Sequence, residues 1–238
     1  DLRTPPAEPE FYLAQKNGEN VYPVENPVID AQRYFDNMPD RDITETYRMD
    51  LSNALTTMGI AVERQHHEAG SAQNEITFKY SDPLTTSDSI MRYKFAAKSI
   101  AGRKYGWTAT FMPKPWCGKP GSGMHIHMGL FNPKTNENPF HDLEGYAHVS
   151  QKCRYFIGGV LDHAKALCAI AAPTVNSYKR LVLGYEAPVY IAWSKKNRSA
   201  LVRIPAFSPK NAKEARIEFR CPDPLCNPYL VFAVTFTA

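Results

Sequence analysis

The sequence predicts an α+β fold in which an antiparallel β-sheet carries helices on one face and binds a ligand on the other. Strand-like segments alternate with helical ones, and three strands place charged side chains at every second position. Because strand side chains point alternately to opposite faces, the charges of each strand share one face. These segments are Glu8-Pro9-Glu10, His125-Ile126-His127 and Arg216-Ile217-Glu218-Phe219-Arg220. A parallel doubly wound sheet would instead need strands that are apolar on both faces.

Two helices and four strands are predicted in the first half of the chain. A helix over 42–58 is indicated by helical spacing of apolar residues and by a capping-box pattern at Asp42 and Glu45, with Gly59 ending it. A second helix over 89–104 ends at Gly106, and the polar segment from Asp82 is expected to be a loop. The apolar stripe of the first helix consists of Ile43, Tyr47, Leu51, Leu55 and Met58. Strands are expected over 8–14, 60–65, 75–80 and 107–112.

The second half of the chain is predicted to begin with the strand that carries His125 and His127, followed by a turn region over 132–143. A single long helix is expected over 145–172, ended by Pro173, and then a loop over 174–188. Asn227 and Pro228 are expected to be the N-cap and first position of a last helix. Strands are expected over 189–193, 200–204 and 215–221.

The composition is that of a compact protein, since 43% of the 238 residues are hydrophobic and 22% are charged. We expect one domain over residues 1–238. The net charge of +4 is modest, and the basic residues are dispersed rather than gathered into a stripe. Nucleic acid is therefore not expected as a partner, and an anionic small molecule suits the charge better.

A cytoplasmic location is predicted from the cysteines and from the absence of targeting signals. The sequence shows no signal peptide and no run of about 18 apolar residues, so no membrane partner is expected. The five cysteines are odd in number and lack zinc-ligand spacing, which favours reduced thiols. They are Cys117, Cys153, Cys168, Cys221 and Cys226.

Five acids and one histidine are candidate metal ligands. Oxygen-rich donor sets with little nitrogen and no thiolate suit hard cations such as Mg²⁺ or Mn²⁺, and six donors are enough for two ions. Taken singly, each acid is more often a solvated surface residue. Their paired spacing beside basic partners favours a shared site. The candidates are Glu8, Glu10, Glu68, Glu75, His125 and Glu218.

Arginines concentrated in the last third of the chain are the second indication of chemistry. Forked guanidinium donors bind carboxylate and phosphate, and metals combined with arginines are typical of phosphoryl transfer. The sequence has no Walker P-loop, so phosphates are expected on metal and arginine. These arginines are Arg180, Arg198, Arg203, Arg216 and Arg220.

In order and spacing, eight sequence blocks closely resemble the catalytic domain of the type I glutamine synthetases. The resemblance covers essentially the whole chain and implies an antiparallel sheet curved around a funnel, with ATP and glutamate entering from opposite ends. The blocks are Glu8-Pro9-Glu10-Phe11, His66-His67-Glu68, Gln73-Asn74-Glu75, Gly121-Ser122-Gly123-Met124-His125-Ile126-His127, Asn176-Ser177-Tyr178-Lys179-Arg180-Leu181, Gly184-Tyr185-Glu186-Ala187-Pro188, Asn197-Arg198-Ser199-Ala200 and Arg216-Ile217-Glu218.

The resemblance also implies a role for each matching residue. One metal would be held by Glu10, Glu68 and Glu75, and a second by Glu8, His125 and Glu218. The nucleotide side would comprise Tyr80, His127, Arg203 and Arg216. Glutamate would contact Gly121, Arg180, Glu186 and Arg220. Arg198 would neutralise the transferred phosphoryl group, and Glu186 would help to deprotonate the ammonium nucleophile and to exclude water.

The implied reaction forms γ-glutamyl phosphate from glutamate and ATP, after which ammonia displaces phosphate. Three positions depart from the family pattern: Pro120 replaces an Asn, Leu183 a Pro and Gly129 a Ser. The family's N-terminal domain and the end of its C-terminal part are expected to lie outside this chain. A dodecamer of two hexameric rings is implied for the full-length protein.

Two alternatives to a glutamate–ammonia ligase stay open from the sequence. Pro120 and Leu183 motivate a γ-glutamyl ligase that uses a polyamine or another amine. A family member that binds nucleotide without turnover, in a structural or regulatory role, is the alternative from another class.

Overall fold

The computed structural model describes residues 7–25, 42–135 and 137–238, together with the backbone of Leu2 and Arg3. Ten strands and six α-helices are found in these residues. In chain order they are β1 (Leu2–Arg3), β2 (Ala7–Asn17), β3 (Asn20–Pro23), α1 (Glu45–Thr57), β4 (Val62–His67), β5 (Gln73–Phe78), α2 (Pro83–Ile100), β6 (Thr108–Thr110), β7 (Met124–Leu130), α3 (Gln151–Asp162), α4 (Ala164–Ala171), α5 (Val175–Arg180), β8 (Tyr190–Lys195), β9 (Ala200–Ile204), β10 (Ile217–Phe219) and α6 (Pro228–Thr237).

The strands form one sheet with the order β4-β5-β2-β7-β10-β9-β8, and β1, β3 and β6 pair with β7 or β2 beside this path. The α+β prediction is confirmed, and the pairs are antiparallel except for β8 and β9, which run parallel. The chain returns between these two strands within residues 196–199, where Lys196 has a left-handed φ of 72°.

The two faces of the sheet divide as the alternating pattern predicts. Phe11, which lies between Glu10 and Tyr12 on β2, is fully buried, and its ring packs against Tyr47 of α1 and Tyr93 of α2, with centroid distances of 6.0 and 5.9 Å. Burial of such rings stabilises the helix-covered face. The charged residues on the alternate positions therefore lie on the opposite side. Other core residues between charged ones are Ile126, Ile217 and Phe219.

Helix α1 lies where the sequence predicts it, but its predicted cap is wrong. Tyr47, Leu51 and Leu55 are buried, whereas the two ends of the predicted stripe are exposed. The N-cap is Thr44, and no side chain caps the helix. The carboxylate of Asp42 instead accepts from Thr44 N and pairs with the buried Arg48 at 2.5 Å, because a charge removed from water needs a partner.

Replacing Arg48 with Met is expected to lower the free energy of unfolding by about 3–5 kcal/mol. The substitution leaves the carboxylate of Asp42 buried without its cation, and Asn74 of β5 loses the 2.7 Å hydrogen bond that Arg48 Nη1 donates. Urea denaturation measures the change. Arg92→Met on the exposed face of α2 is the matched control, and an equal effect of both substitutions would contradict the argument.

Helix α2 begins six residues earlier than predicted. The carboxylate of Asp82 accepts hydrogen bonds from Leu84 N and Thr85 N, both at 3.0 Å, and Pro83 occupies the first turn. Asp followed by Pro is therefore a helix start here rather than a loop. The helix continues into a π-helical turn, Ala101–Tyr105, and ends as predicted at Gly106, which has a φ of 67°.

The single helix predicted over 145–172 is wrong. The segment contains a 3₁₀ turn at Tyr146–His148, then α3, and after a break at His163 the separate helix α4. Ser150 starts α3, since its hydroxyl accepts from Cys153 N at 3.2 Å. A sequence that is apolar on a helical period does not reveal such a break.

The loop predicted over 174–188 contains the short helix α5. Thr174 and Ser177 form a reciprocal capping box. The usual capping-box pattern has Glu or Gln at the fourth position, so the Ser found here makes the helix start harder to recognise from the sequence. In the predicted turn region, residue 136 lies outside the described residues.

The last helix, α6, starts as predicted, because Asn227 Oδ1 accepts from Tyr229 N at 3.0 Å. Among the helices described here, none has the length and apolar character needed to cross a bilayer.

Candidate active site

The predicted site residues surround one cleft with a volume of about 1340 Å³. Glu218 does not line it, since this residue is fully buried, but it forms ion pairs with the cleft residues Arg203 and Arg220. The predicted residues that line the cleft are Glu8, Glu10, Glu68, Glu75, Tyr80, Gly121, His125, His127, Arg180, Glu186, Arg198, Arg203, Arg216 and Arg220.

Strand register places the charged side chains in a row across the sheet. On β2, Glu8 is the Cα partner of His125 and Glu10 is the partner of Glu75. Cross-strand partners have Cβ atoms about 5 Å apart, so their side chains interact directly. The row continues to β4 through His66, the partner of Glu75, and toward β9 through the pairs Glu218–His127 and Glu218–Arg203.

One acidic cluster lies on the β4–β5 side of the cleft. His66, Glu68 and Glu75 each offer a ligand atom within 4.8 Å of the others. His66 Nε2 is 3.1 Å from Glu75 Oε1, and its Nδ1 is 3.6 Å from Glu68 Oε1. Glu10 lies on the neighbouring strand, where its carboxylate accepts from Gly123 N at 2.9 Å. The cluster offers the oxygen-rich donor set that divalent cations favour.

A second cluster lies on the β7–β10 side. It comprises Glu8, His127 and Glu218, whose ligand atoms also lie within 4.8 Å of one another. His125 is close to the same group, because its Nδ1 is 3.5 Å from Glu8 and 3.7 Å from Glu218. Its distance to Glu10 is 3.8 Å, so His125 lies between the two clusters.

The two histidines of β7 have different environments. Arg216 Nε donates to His127 Nδ1 at 3.1 Å, which leaves the proton of a neutral ring on Nε2, facing Glu8 at 3.1 Å. His127 Nε2 and Glu8 Oε1 are thus near neighbours across β7 and β2. Burial, and next the charge of Arg220, lower the pKa of His125 to about 3. His125 is thus neutral, which is the form that binds metals.

The acids of the first cluster are held together at an electrostatic cost. Burial raises the pKa of Glu10 to about 7, in spite of the hydrogen bond from Gly123. Burial and then neighbouring carboxylates raise the pKa values of Glu68 and Glu75 well above the usual range. Crowded buried carboxylates retain protons unless a cation replaces them. The arrangement therefore fits a divalent ion.

The acids of the second cluster are kept ionised by basic neighbours. Burial alone would raise the pKa of Glu8, but His127 and His125 hold it well below the usual range. The pKa of Glu218 is likewise lowered, because Arg220 and the histidines outweigh its burial. Two environments on one sheet face thus shift the pKa values of their acids in opposite directions.

Two residues of the site were missed by the sequence analysis. His66 belongs to the first cluster, and Gln73 donates from Nε2 to Glu10 Oε2 at 3.1 Å and to Gly121 O at 3.0 Å. Both stand two positions before an acid that was predicted, Glu68 and Glu75. The alternation rule, applied to β4 and β5 as it was to β2, would have found them.

The two most buried arginines of the cleft lining, Arg180 and Arg220, are bonded to backbone carbonyls. Arg180 donates to the carbonyls of Cys221 and Arg220, both at 2.9 Å. Arg220 pairs with Glu218, and its Nε donates to Arg198 O at 3.0 Å. Both side chains are only 3% exposed, so their cationic heads are fixed in place.

The loop of residues 181–189 covers part of the cleft. In this 181–189 loop, Gly184 and Glu186 have left-handed φ values of 88° and 56°. The Glu186 carboxylate pairs with Arg198 Nη1 at 2.8 Å, and its carbonyl accepts from Arg220 Nη2 at 3.1 Å. The residue expected to neutralise the transferred phosphoryl group, Arg198, is thus in direct contact with the residue expected to deprotonate the ammonium nucleophile, Glu186.

Comparison with known proteins agrees with this geometry. Residues 5–238 match the family model "Glutamine synthetase, catalytic domain". Glutamine synthetase of Pyrococcus woesei is 49% identical over 97% of this chain and 49% of its own length. That of Thermotoga maritima is 48% identical over 99% of this chain and 52% of its own length.

A solved structure is also similar. The cryo-EM structure of Plasmodium falciparum glutamine synthetase matches with a TM-score of 0.87 and 32% identity, over 98% of this chain and 50% of that one. The chain spans about half the length of the curated relatives it matches. Since the family model covers almost the entire chain, this protein belongs to the glutamine synthetase catalytic-domain family.

Proposed function

We propose that the complete protein is an ATP-dependent ligase that joins glutamate and ammonia to form glutamine for nitrogen assimilation. One observation carries the proposal: two carboxylate–imidazole clusters and the converging arginines meet at a single cleft, which all of these residues except the buried Glu218 line. Family membership supports the same conclusion. Phosphoryl transfer requires positioning and neutralisation of negative charge, which this combination of groups can provide.

Two divalent ions, Mg²⁺ or Mn²⁺, are proposed for the two clusters. Glu10, Glu68 and Glu75 would hold one and Glu8, His125 and Glu218 the other, with His66 close to the first set. When bound, such ions neutralise phosphate charge and polarise phosphoryl oxygens. Gln73 orients Glu10 through the hydrogen bond that it donates, which is the usual role of a group beside a metal ligand, and His127 lies 3.1 Å from Glu8.

ATP and glutamate are proposed to bind different parts of the cleft. Tyr80, His127, Arg203 and Arg216 are proposed to bind ATP. Arg180, Arg220 and the backbone of Gly121 are proposed to hold glutamate. The γ-carboxylate attacks the γ-phosphorus of ATP and releases ADP, and ammonia then attacks the γ-glutamyl phosphate and releases phosphate. Converting the carboxylate oxygen into a phosphate leaving group makes amide formation feasible.

Arg198 and Glu186 are proposed as the catalytic residues. Arg198 offers a cation to the transferred phosphoryl group, and the carboxylate of Glu186 accepts a proton from the ammonium nucleophile. Both sit where the 181–189 loop meets the cleft, so closure of this loop would also exclude water from the acyl phosphate.

Replacing Glu186 with Ala is expected to lower kcat for glutamine synthesis about 10²- to 10⁴-fold, because the proton acceptor is removed. Steady-state assays of the complete protein measure the effect. Glu144→Gln, on an exposed segment away from the cleft, serves as the control. An unchanged rate in Glu186→Ala would contradict the assigned role.

Mn²⁺ or Mg²⁺ is expected to raise the melting temperature by about 5–10 °C at an ion concentration near 100 times Kd. The gain arises because the ion binds the folded state, where it replaces the protons that Glu10, Glu68 and Glu75 retain. Differential scanning calorimetry checks the shift. Glu75→Gln should lose most of it and Glu144→Gln should retain it, whereas equal melting temperatures with and without ions would count against the metal sites.

A γ-glutamyl ligase for another amine is the second candidate. It is favoured by Pro120, which lines the cleft and offers no side-chain polar group to a substrate. The complete protein is assayed with ATP, glutamate and either ammonium or a panel of polyamines and alkylamines. Glutamine, ADP and phosphate in equal amounts with ammonium support the first proposal. Amide formation with amines alone would select the second, and nucleotide binding without turnover would reject both.

Three broader expectations belong to the same proposal. The chain is regarded as one catalytic domain, and a dodecamer of two hexameric rings is proposed for the full-length protein. A cytoplasmic location is consistent with the five cysteines, all of which are free thiols.

A further inference from the structure

The backbone of the 181–189 loop has a conformation that the loop alone would not favour. Glu186 is a non-glycine residue with a φ of 56°, and Gly184 two positions earlier has a φ of 88°. Left-handed backbone is disfavoured for residues with a Cβ and persists only where surrounding contacts impose it. The contacts of this segment with the rest of the molecule therefore decide whether Glu186 faces the cleft.

One of these contacts comes from a lysine outside the cleft lining. The ammonium of Lys114 lies 3.8 Å from the centroid of the Tyr185 ring, the residue between Gly184 and Glu186. A cation over an aromatic face at this distance is attracted by the negative face of the ring. Arg198 and Arg220 hold Glu186 itself, so Lys114 supplies a further anchor through the adjacent residue.

Lys114 is itself fixed by three hydrogen bonds. Its backbone N–H donates to Asn176 Oδ1 at 2.8 Å, and Asn176 Nδ2 donates to its carbonyl at 2.9 Å. Its Nζ donates to Lys119 O at 2.6 Å. Asn176 belongs to α5, the helix that ends at Arg180, and Lys119 belongs to the segment that leads to Gly121. The lysine thus connects the 181–189 loop to two parts of the proposed glutamate site.

We infer that Lys114 is a positioning residue that holds Tyr185, and through it Glu186, over the cleft. The lysine does not touch the reacting atoms. Its effect on catalysis rests on the proposed function, since a displaced 181–189 loop would admit water to the γ-glutamyl phosphate. Hydrolysis of that intermediate regenerates glutamate and releases phosphate, so ATP is consumed without amide formation.

The first test measures the loop directly and does not depend on activity. Hydrogen–deuterium exchange of peptides within residues 181–189 is compared among variants of the complete protein. Lys114→Met and Tyr185→Leu are expected to exchange about 3- to 30-fold faster than wild type, the effect of losing one cation–π contact. Lys114→Arg retains the cation and Tyr185→Phe retains the ring, so both should exchange near the wild-type rate.

The second test measures the ratio of phosphate released to glutamine formed at saturating ammonium. This ratio is expected to be one for wild type and for Lys152→Met, a control on the exposed face of α3. Lys114→Met is expected to raise the ratio of phosphate to glutamine above one with an unchanged KM for ATP. Lys114→Arg, which retains the cation, should keep this ratio at one. A general loss of structure would lower the rate without changing this ratio.

The outcomes separate the two proposals. Faster exchange confined to the 181–189 loop, together with excess phosphate, supports the positioning role. Unchanged exchange in Lys114→Met, or an equal increase throughout the molecule, overturns it. Faster local exchange in a protein that forms no γ-glutamyl amide supports the Lys114 contact and overturns the ligase proposal.

Discussion

Replacing Glu218 with Gln is expected to abolish most activity and to destabilise the fold. Glu218 is fully buried and pairs with two arginines, Arg203 and Arg220. Gln preserves the shape but removes the charge that compensates both cations, which should lower the free energy of unfolding by about 3 kcal/mol. Activity should fall at least 100-fold, since even residues that merely support metal ligands cost about 10- to 100-fold.

Two measurements separate these effects. Urea denaturation gives the change in stability, and Mn²⁺ titration monitored by melting temperature gives the loss of metal binding. Glu144→Gln controls for the removal of an exposed acid. A Glu218→Gln protein with wild-type stability and metal response would show that neither the arginines nor the proposed ion depends on this carboxylate.

The second large effect is expected from adding a single methyl group to Gly123. A Cβ at this position would lie 2.7 Å from His125 Nε2 and 2.8 Å from Arg180 Nη2. Neither side chain can retreat freely, because His125 is buried and Arg180 is held by two backbone carbonyls. Displacements of about 1 Å in an active site cost about 100-fold in rate, so Gly123→Ala should lower kcat/KM by that factor.

Gly158→Ala is the matched control for this substitution. Gly158 lies within α3, and a Cβ there would meet no atom within 4 Å. This variant should keep its activity and gain about 0.5–1 kcal/mol of stability, because Ala loses less conformational freedom in a helix than Gly. Full activity in Gly123→Ala would contradict the close packing described around His125.

The positions that carry charge were predictable from the sequence because strands impose a period of two. Glu8 and Glu10 could be placed on one face without knowing which strands pair with β2. Pairing itself could not be predicted, since β2 lies between β5 and β7, far from either in sequence. For that reason the neighbour relation between Glu10 and Glu75 came from family resemblance rather than from pattern.

The wrong predictions of helix starts and ends arose where a local sequence pattern competed with a contact made in the folded protein. Asp42 has the position of a helix cap, but the buried Arg48 takes its carboxylate. Asp82 was expected in a loop although Asp before Pro equally marks the start of a helix. The break at His163 divides a segment that is apolar on a helical period, and only packing determines where it falls.

The order of the strands also has a consequence for synthesis on the ribosome. The neighbouring acids Glu8, Glu10 and Glu75 emerge early, whereas Arg203, Glu218 and Arg220 follow more than a hundred residues later. Because β10 can pair with β7 and β9 only after this delay, the acids of β2 and β5 are synthesised well before the arginines that pair with Glu218. Assembly of the central sheet is therefore expected to be slow, because long-range strand pairing costs loop-closure entropy before it contributes stability.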